Sequence, residues 1–213
     1  MTVQVQLVQF AKWPEKGRVK TRLARALGDE LALHAHVTLT LTVLEQLRLS
    51  GYPLALAWDR PIDEPPAAAG PILNALAGYG IAQVIQQGAD LGERMTRALA
   101  DGLTDADRVI IVGSDCPSVD ANYVNEAVEA LDQADVVFGP SEDGGYVLIG
   151  ARRTHPGMLG NVPWGSDKAL EQSRVAATNA GLRVVTLSPR WDVDEPEDWQ
   201  RFLAEFAQSP TGG

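Results

Sequence analysis

Seven short apolar runs recur along this chain, and stretches with helical spacing separate most of them. That alternation constrains the fold more than any other feature. The runs are QVQLVQF (4–10), PLALAWD (53–59), IAQVIQQ (81–87), RVIIVG (108–113), DVVFGP (135–140), YVLIG (146–150) and LRVVTL (182–187). Each has the length and β-branched content of a buried strand. The helix-like stretches are DLGERMTRALADGL (90–103), ANYVNEAVEALDQ (121–133), SDKALEQSRVAATNA (166–180) and EPEDWQRFLAEFA (195–207). Apolar strands alternating with helices predict an α/β domain with a mostly parallel sheet covered on both faces.

One stretch carries two signals. HVTLTLTV (36–43) alternates apolar and polar residues as a strand does. No turn residue interrupts Asp29 to Ser50, however, and Leu27, Leu31, Leu41, Leu44 and Leu47 fall near helical spacing. The spacing therefore predicts one helix ending at Gly51. RPIDEPPAAAGP (60–71) reads as a surface loop. The length of 213 residues and the unbroken alternation predict a single domain over 1–207, with a flexible tail at 208–213.

Charge is unevenly placed. The chain carries 18 basic and 28 acidic residues, a net charge of -10. The segment from Lys12 to Arg25 holds six basic residues and one acidic residue, or +5, which leaves -15 on the remainder. An acidic chain of this kind argues against a general nucleic-acid or anionic-membrane binder. A basic, glycine-containing loop between a first strand and a first helix is instead a common phosphate holder. Its candidate contacts are Lys12, Gly17, Arg18, Lys20 and Arg22. The single cysteine, Cys116, excludes an internal disulfide and fits a reducing cytoplasm, and its neighbourhood suggests a small packed residue. No signal-peptide pattern and no membrane-spanning apolar run is expected.

Ligands of parallel sheets sit at the carboxyl ends of the strands. After RVIIVG comes Gly-Ser-Asp115-Cys-Pro, which puts a carboxylate just beyond a strand end. Asp120 stands better than Asp115 to cap the following helix. After LRVVTL come Asp192 and Asp194, two apart and thus on one side of an extended segment. Glu195, Glu197 and Asp198 read as helix-start acids. Three acids facing a basic loop suit a Mg²⁺ or Mn²⁺ ion shared with substrate phosphates. Asp143-Gly-Gly predicts a tight turn between two strands, and Glu142 or Asp143 there could orient an acceptor hydroxyl or take its proton. Arg94, where a strand gives way to a helix, is a further phosphate candidate.

Several common sites are excluded. Val19 precedes Lys20-Thr21, so the basic loop is not a Walker loop. No GxGxxG follows the first strand, and GxSxG and HExxH do not occur. His34 and His36 are expected to decorate the long helix.

The segments FAKWPEKGRVKTRL, QQGADLGERM, IIVGSDCPS, VVFGPSEDGGYVLIG, VPWGS and WDVDEPEDW follow one another in order. Together they resemble the radical-SAM/selenodomain-associated transferases, a glycosyltransferase-like family. The resemblance implies a GT-A-like three-layer fold, as in nucleotide-diphospho-sugar transferases. It also implies a distant relation to nucleotidyltransferases such as 2-phospholactate guanylyltransferase. Carried over, it places the Lys12–Arg22 loop on nucleotide phosphates, Asp115 with Asp192 or Asp194 on the metal, and the Glu142–Tyr146 turn before the acceptor. The DxD triplet usual in such enzymes is replaced by Ser114-Asp115-Cys116, so metal binding leans on the later aspartates. The expected partners are a nucleotide-activated small-molecule donor and an acceptor the sequence does not name. A nucleotidyltransferase and a non-catalytic nucleotide-binding module are the alternatives.

Overall fold

The computed structural model describes residues 3–206, so Ala207 and the proposed tail at 208–213 lie outside the described residues. Seven strands form one sheet: β1 (Val5–Ala11), β2 (Leu54–Trp58), β3 (Ala82–Ile85), β4 (Arg108–Gly113), β5 (Val136–Pro140), β6 (Tyr146–Ala151) and β7 (Val184–Thr186). Their order is β3-β2-β1-β4-β6-β5-β7. Only β6 runs against its neighbours. The mostly parallel sheet expected from the apolar runs is thus present, and the 143–145 turn closes a β5–β6 hairpin.

The helices are α1 (Thr21–Leu27), α2 (Asp29–Arg48), α3 (Gly70–Tyr79), α4 (Leu91–Gly102), α5 (Ala121–Ala130), α6 (Ala169–Asn179) and α7 (Pro196–Phe206). The ambiguous stretch is one helix, α2. Its threonines are accommodated by back-bonding: Thr40 Oγ1 donates to His36 O at 2.8 Å and Thr42 Oγ1 to Thr38 O at 2.9 Å. Two helices depart from expectation. Part of the basic loop is helical, because α1 begins at Thr21 and puts Arg22 in its first turn. The loop read at 60–71 gives way at Gly70 to α3, with Pro71 in its first turn, where the missing N–H costs no hydrogen bond. No helix among the described residues is long and apolar enough to cross a membrane.

Each central strand feeds two cores by its period of two. Leu7, Ile110, Val112, Val137 and Leu148 pack with Val43 of α2 and Val124 of α5. Val8, Val109, Ile111, Phe138 and Ile149 pack on the other face with Leu99 of α4. A third cluster centres on Trp13 and Trp58, stacked with ring centroids 3.8 Å apart. A fourth joins Leu23 and Leu39 to Trp191, Val193, Trp199 and Phe202. That last cluster fixes the segment carrying Asp192 and Asp194 against the first two helices.

The β5–β6 turn depends on Gly144. Its φ is +91°, and a Cβ there would lie 2.2 Å from the Asp167 carbonyl oxygen. Leu170 N donates to Gly144 O at 3.1 Å, so the turn is packed against the 164–167 loop. Gly144→Ala is predicted to cost at least about 2 kcal/mol through strain and overlap together. Urea unfolding checks this, and a loss under about 0.5 kcal/mol would contradict it.

Candidate active site

The chain reverses direction of growth at β1, since β2 and β3 lie on one side of it and β4 on the other. Such a switch point opens a crevice at the carboxyl ends of the parallel strands. Here it is a cavity of about 540 Å³ lined by Lys12, Lys20, Arg22 and Arg94 together with Asp115 and Asp194.

The basic loop divides into two groups. Lys12, Lys20 and Arg22 line the cavity. Arg18 pairs with Glu15 at 3.2 Å and Lys16 with Glu30, both outside the cavity wall. Gly17, at φ +74°, shapes the turn between them and does not border the cavity. The loop is held from beneath. Trp13 N donates to Asp59 Oδ1 and Trp13 Nε1 to Arg60 O, both at 2.9 Å. Arg60 bridges Glu15 at 2.5 Å and Asp59 at 2.9 Å. Asp59 follows strand β2, so the same strand-end reasoning that selected Asp115 applies to it.

Lys20 is the centre of the site. It has left-handed backbone (φ 46°), and its side chain is only 6% exposed. Its ammonium donates to Asp115 Oδ2 at 3.0 Å, Asp194 Oδ1 at 3.0 Å and the Val193 carbonyl at 2.5 Å. Burial lowers its pKa, but the two carboxylates outweigh burial and hold it above the ordinary lysine value. Arg22 adds contacts to Asp194 at 3.5 Å and Glu195 at 3.7 Å.

Local hydrogen bonds assemble the acids. Val193 N donates to Asp115 O at 2.9 Å, which joins the two acidic segments through the backbone. Ser118 Oγ donates to Trp191 O at 2.5 Å, and Ser114 Oγ to Phe10 O at 2.8 Å. Asp198 accepts from the Asp194 and Glu195 amides at 3.0 and 2.8 Å, so it caps α7 as expected. Asp120 caps α5 by accepting from Tyr123 N at 2.8 Å. Cys116 is buried and its thiol donates to Gly113 O at 3.0 Å, the small packed residue anticipated. Burial pushes that thiol well up, away from the reactive thiolate.

One carboxylate oxygen each from Asp115, Asp192 and Asp194 lie within 4.8 Å of one another. Three carboxylates and one ammonium leave a net -2, the charge a divalent ion balances. Burial pushes the Asp115 carboxyl up, yet the Lys20 ammonium beside it prevails and holds it below its ordinary value. Among the described residues no cation pairs directly with Asp192. Burial and the Asp115, Asp194 and Asp143 carboxylates push it up to about 7. A set of hard oxygen donors with charge left to balance fits Mg²⁺ or Mn²⁺.

The other candidates separate. Arg94 lines the cavity from α4, its Nε donating to Gly88 O at 3.3 Å. Asp143 borders a second cavity, and it accepts from Ser141 Oγ and, at 3.1 Å, from Gly145 N. Glu142 faces Arg201 at 3.3 Å, is 60% exposed and borders neither cavity. Consecutive turn residues point to different sides, which is why one acid of the pair is inside and the other outside. His34 is exposed as expected, but His36 corrects the reading of a decorative histidine. It is buried, borders the first cavity, and has Nε2 2.9 Å from Lys12 O. Burial pushes its pKa down, which favours a neutral ring that donates from Nε2 to that carbonyl. Nothing in the local sequence marks His36, because its position depends on how α2 aligns with the strand ends.

Asp192 also sets a pH response. Its ordinary carboxyl pKa is 3.8 and its folded value about 7. Between these the folded state keeps a proton that the unfolded state has lost, so stability falls as pH rises through this window. Metal-free protein is predicted to lose urea stability from pH 5 to pH 8, and Asp192→Asn to lose less. Equal losses in the two proteins would contradict the assignment.

No curated protein matches this chain. Among solved structures, one from Desulfovibrio desulfuricans G20, described as a "putative nucleotide-diphospho-sugar transferase", is 28% identical. It superposes with a TM-score of 0.81 over 99% of this chain and 90% of that one. A nucleotidyl transferase from Methanothermobacter thermautotroptrophicus is 16% identical, with a TM-score of 0.63 over 97% of this chain and 99% of that one. Rv0371c of Mycobacterium tuberculosis H37Rv, in complex with manganese, is 19% identical, with a TM-score of 0.56 over 95% and 99%. The last two share the fold alone. None of these matches bears on an association with radical-SAM enzymes. The sequence profile of one bacterial family matches residues 42–166, more than half of the chain, and the chain therefore belongs to that family, described as "Uncharacterized protein conserved in bacteria (DUF2064)".

Proposed function

We propose that residues 1–207 form one metal-dependent transferase domain that moves a sugar from a nucleotide-diphospho-sugar to an acceptor. The observation that carries this reading is the buried Lys20 ammonium shared by Asp115 and Asp194 on the wall of a cation-lined cavity. Burying an ammonium costs several kcal/mol, and such a pair is a weak source of stability. A site that must balance phosphate, metal and carboxylate charge is a reason to keep it.

The roles follow from position. Lys12, Lys20, Arg22 and Arg94 face the diphosphate, and Lys20 and Arg22 also hold Asp194 in place. Asp115, Asp192 and Asp194 would hold Mg²⁺ or Mn²⁺. When bound, that ion supplies positive charge opposite the leaving diphosphate. Asp143 orients an acceptor hydroxyl and accepts its proton. The sugar C1–oxygen bond to the diphosphate breaks, a bond to the acceptor oxygen forms, and nucleoside diphosphate leaves. The likeness to the Desulfovibrio structure supports sugar transfer.

A second reading, nucleotidyl transfer from an NTP with release of pyrophosphate, draws on the four cations around the cavity, which suit the extra phosphate. Incubation with nucleotide sugars and NTPs in Mn²⁺ separates the two. Sugar transfer, or hydrolysis of the donor by water, is predicted to release nucleoside diphosphate, whereas pyrophosphate would select the second reading. Nucleotide binding without turnover of either class would select a non-catalytic module. Asp115→Asn is predicted to lower turnover on the order of 10³-fold, several kcal/mol of lost charge stabilisation. Full turnover in excess EDTA would contradict the metal dependence.

A further inference from the structure

The second cavity, of about 280 Å³, opens beside the first. The two share a wall of Phe10, Arg22, Leu91, Gly113, Asp115 and Asp194. A molecule in one therefore abuts a molecule in the other at the carboxylates. Beyond that wall their chemistry differs. Lys12, Lys20 and Arg94 line the first cavity and not the second. Of these four cations Arg22 alone borders both, and it is engaged by Asp194 at 3.5 Å and Glu195 at 3.7 Å. The second cavity adds a carboxylate of its own, Asp143.

Apart from Ser166 and the Tyr146 hydroxyl, the rest of its side-chain lining is apolar. Ile111 and Ile149 come from the sheet, Met95 from α4, and Tyr146 and Trp164 close the sides. Tyr146 and Trp164 meet edge to face with centroids 6.2 Å apart. The tyrosine hydroxyl lies 3.8 Å from Met95 Sδ and 3.4 Å from Ser173 Oγ. Two close approaches build this wall. A Cβ on Gly92 would sit 2.7 Å from Trp164 Cζ2, so the bare α4 start lets the indole pack on it. The Gly144 turn packs on Asp167, next to the same loop. The VPWGS segment is thus the side wall of a pocket.

A phosphorylated second substrate entering here would meet, among the described residues, no cation but Arg22, already paired with Asp194 and Glu195, and would face Asp143 while losing its water, which is costly for an anion. An uncharged molecule with an apolar ring and one hydroxyl loses little water and gives Asp143 a further donor beside Ser141 Oγ and Gly145 N. We infer that the second cavity is an acceptor subsite for an uncharged alcohol with a compact apolar or aromatic body, and that it selects against phosphorylated acceptors. The inference deepens the proposed transferase reading and rests on it for the word acceptor.

Calorimetry on the full chain tests it with phenyl β-glucoside, phenyl phosphate and glucose 1-phosphate, and nucleoside diphosphate with Mn²⁺ is titrated separately. Phenyl β-glucoside is expected to bind at least ~10-fold more tightly than either phosphate. Trp164→Ala and Ser166→Trp, one truncating the wall and the other filling the mouth, are each expected to weaken it at least ~5-fold. Met95→Lys is expected to raise the affinity for phenyl phosphate. Three results would each overturn the inference: tighter binding of a phosphate that Ser166→Trp abolishes, glucoside binding unaffected by both Trp164→Ala and Ser166→Trp, or no glucoside binding. The nucleotide titration keeps the two readings apart. Loss of nucleotide binding with glucoside selectivity intact would remove the transferase reading alone, and the reverse would remove the subsite alone.

Discussion

A buried ammonium held by two carboxylates and a carbonyl ties the elements of the candidate site together. Lys20 belongs to the first loop, Asp115 to the end of β4, and Val193 with Asp194 to the segment before α7. These elements are 95 and 174 residues apart from Lys20 in the chain. Lys20 alone, only 6% exposed, would be a buried charge without compensation, costing about 3–5 kcal/mol if left unpaired. Together the ammonium and its partners define one position for three otherwise independent segments. The left-handed backbone of Lys20 (φ 46°) is the local strain that accompanies this placement.

The surrounding packing serves the same geometry. The Trp13–Trp58 stack, worth about 0.5–1.5 kcal/mol beyond its buried area, anchors the entry of the basic loop to β2. Trp191, Val193, Trp199 and Phe202 hold the acidic segment on α1 and α2. Gly92 and Gly144 admit close contacts that shape the second cavity. The result is two adjoining spaces of opposite character, one bordered by cations and one by aromatic rings, with the carboxylates at their boundary.

Much of this could be read from the chain, and the parts that could not have definable causes. The strands were legible because those buried on both faces are continuous apolar runs, and β6 was legible as the return of a hairpin at Asp143-Gly-Gly. Asp115, Asp192 and Asp194 were legible as a set because each follows an apolar run. Their approach to Lys20 was not, since it depends on the order of strands. Helices α1 and α3 escaped notice because one continues the basic loop without a capping residue and the other is rich in alanine and glycine. His36 entered the site through the alignment of α2 with the strand ends, a tertiary fact with no local signal. Glu142 and Asp143 could not be told apart by sequence, since a single step around a turn decides which carboxylate faces the cavity.

The account stands on one claim, that Asp115, Asp192 and Asp194 bind a divalent ion beside the nucleotide phosphates held by Lys20 and Arg22. Anomalous scattering from crystals grown with Mn²⁺ and a nucleoside diphosphate tests it most directly. The predicted result is a manganese peak bonded to carboxylate oxygens of this set and to a phosphate oxygen, with Lys20 and Arg22 on the same diphosphate. A diphosphate bound in the first cavity with no manganese at these aspartates, or manganese bound elsewhere, would contradict it.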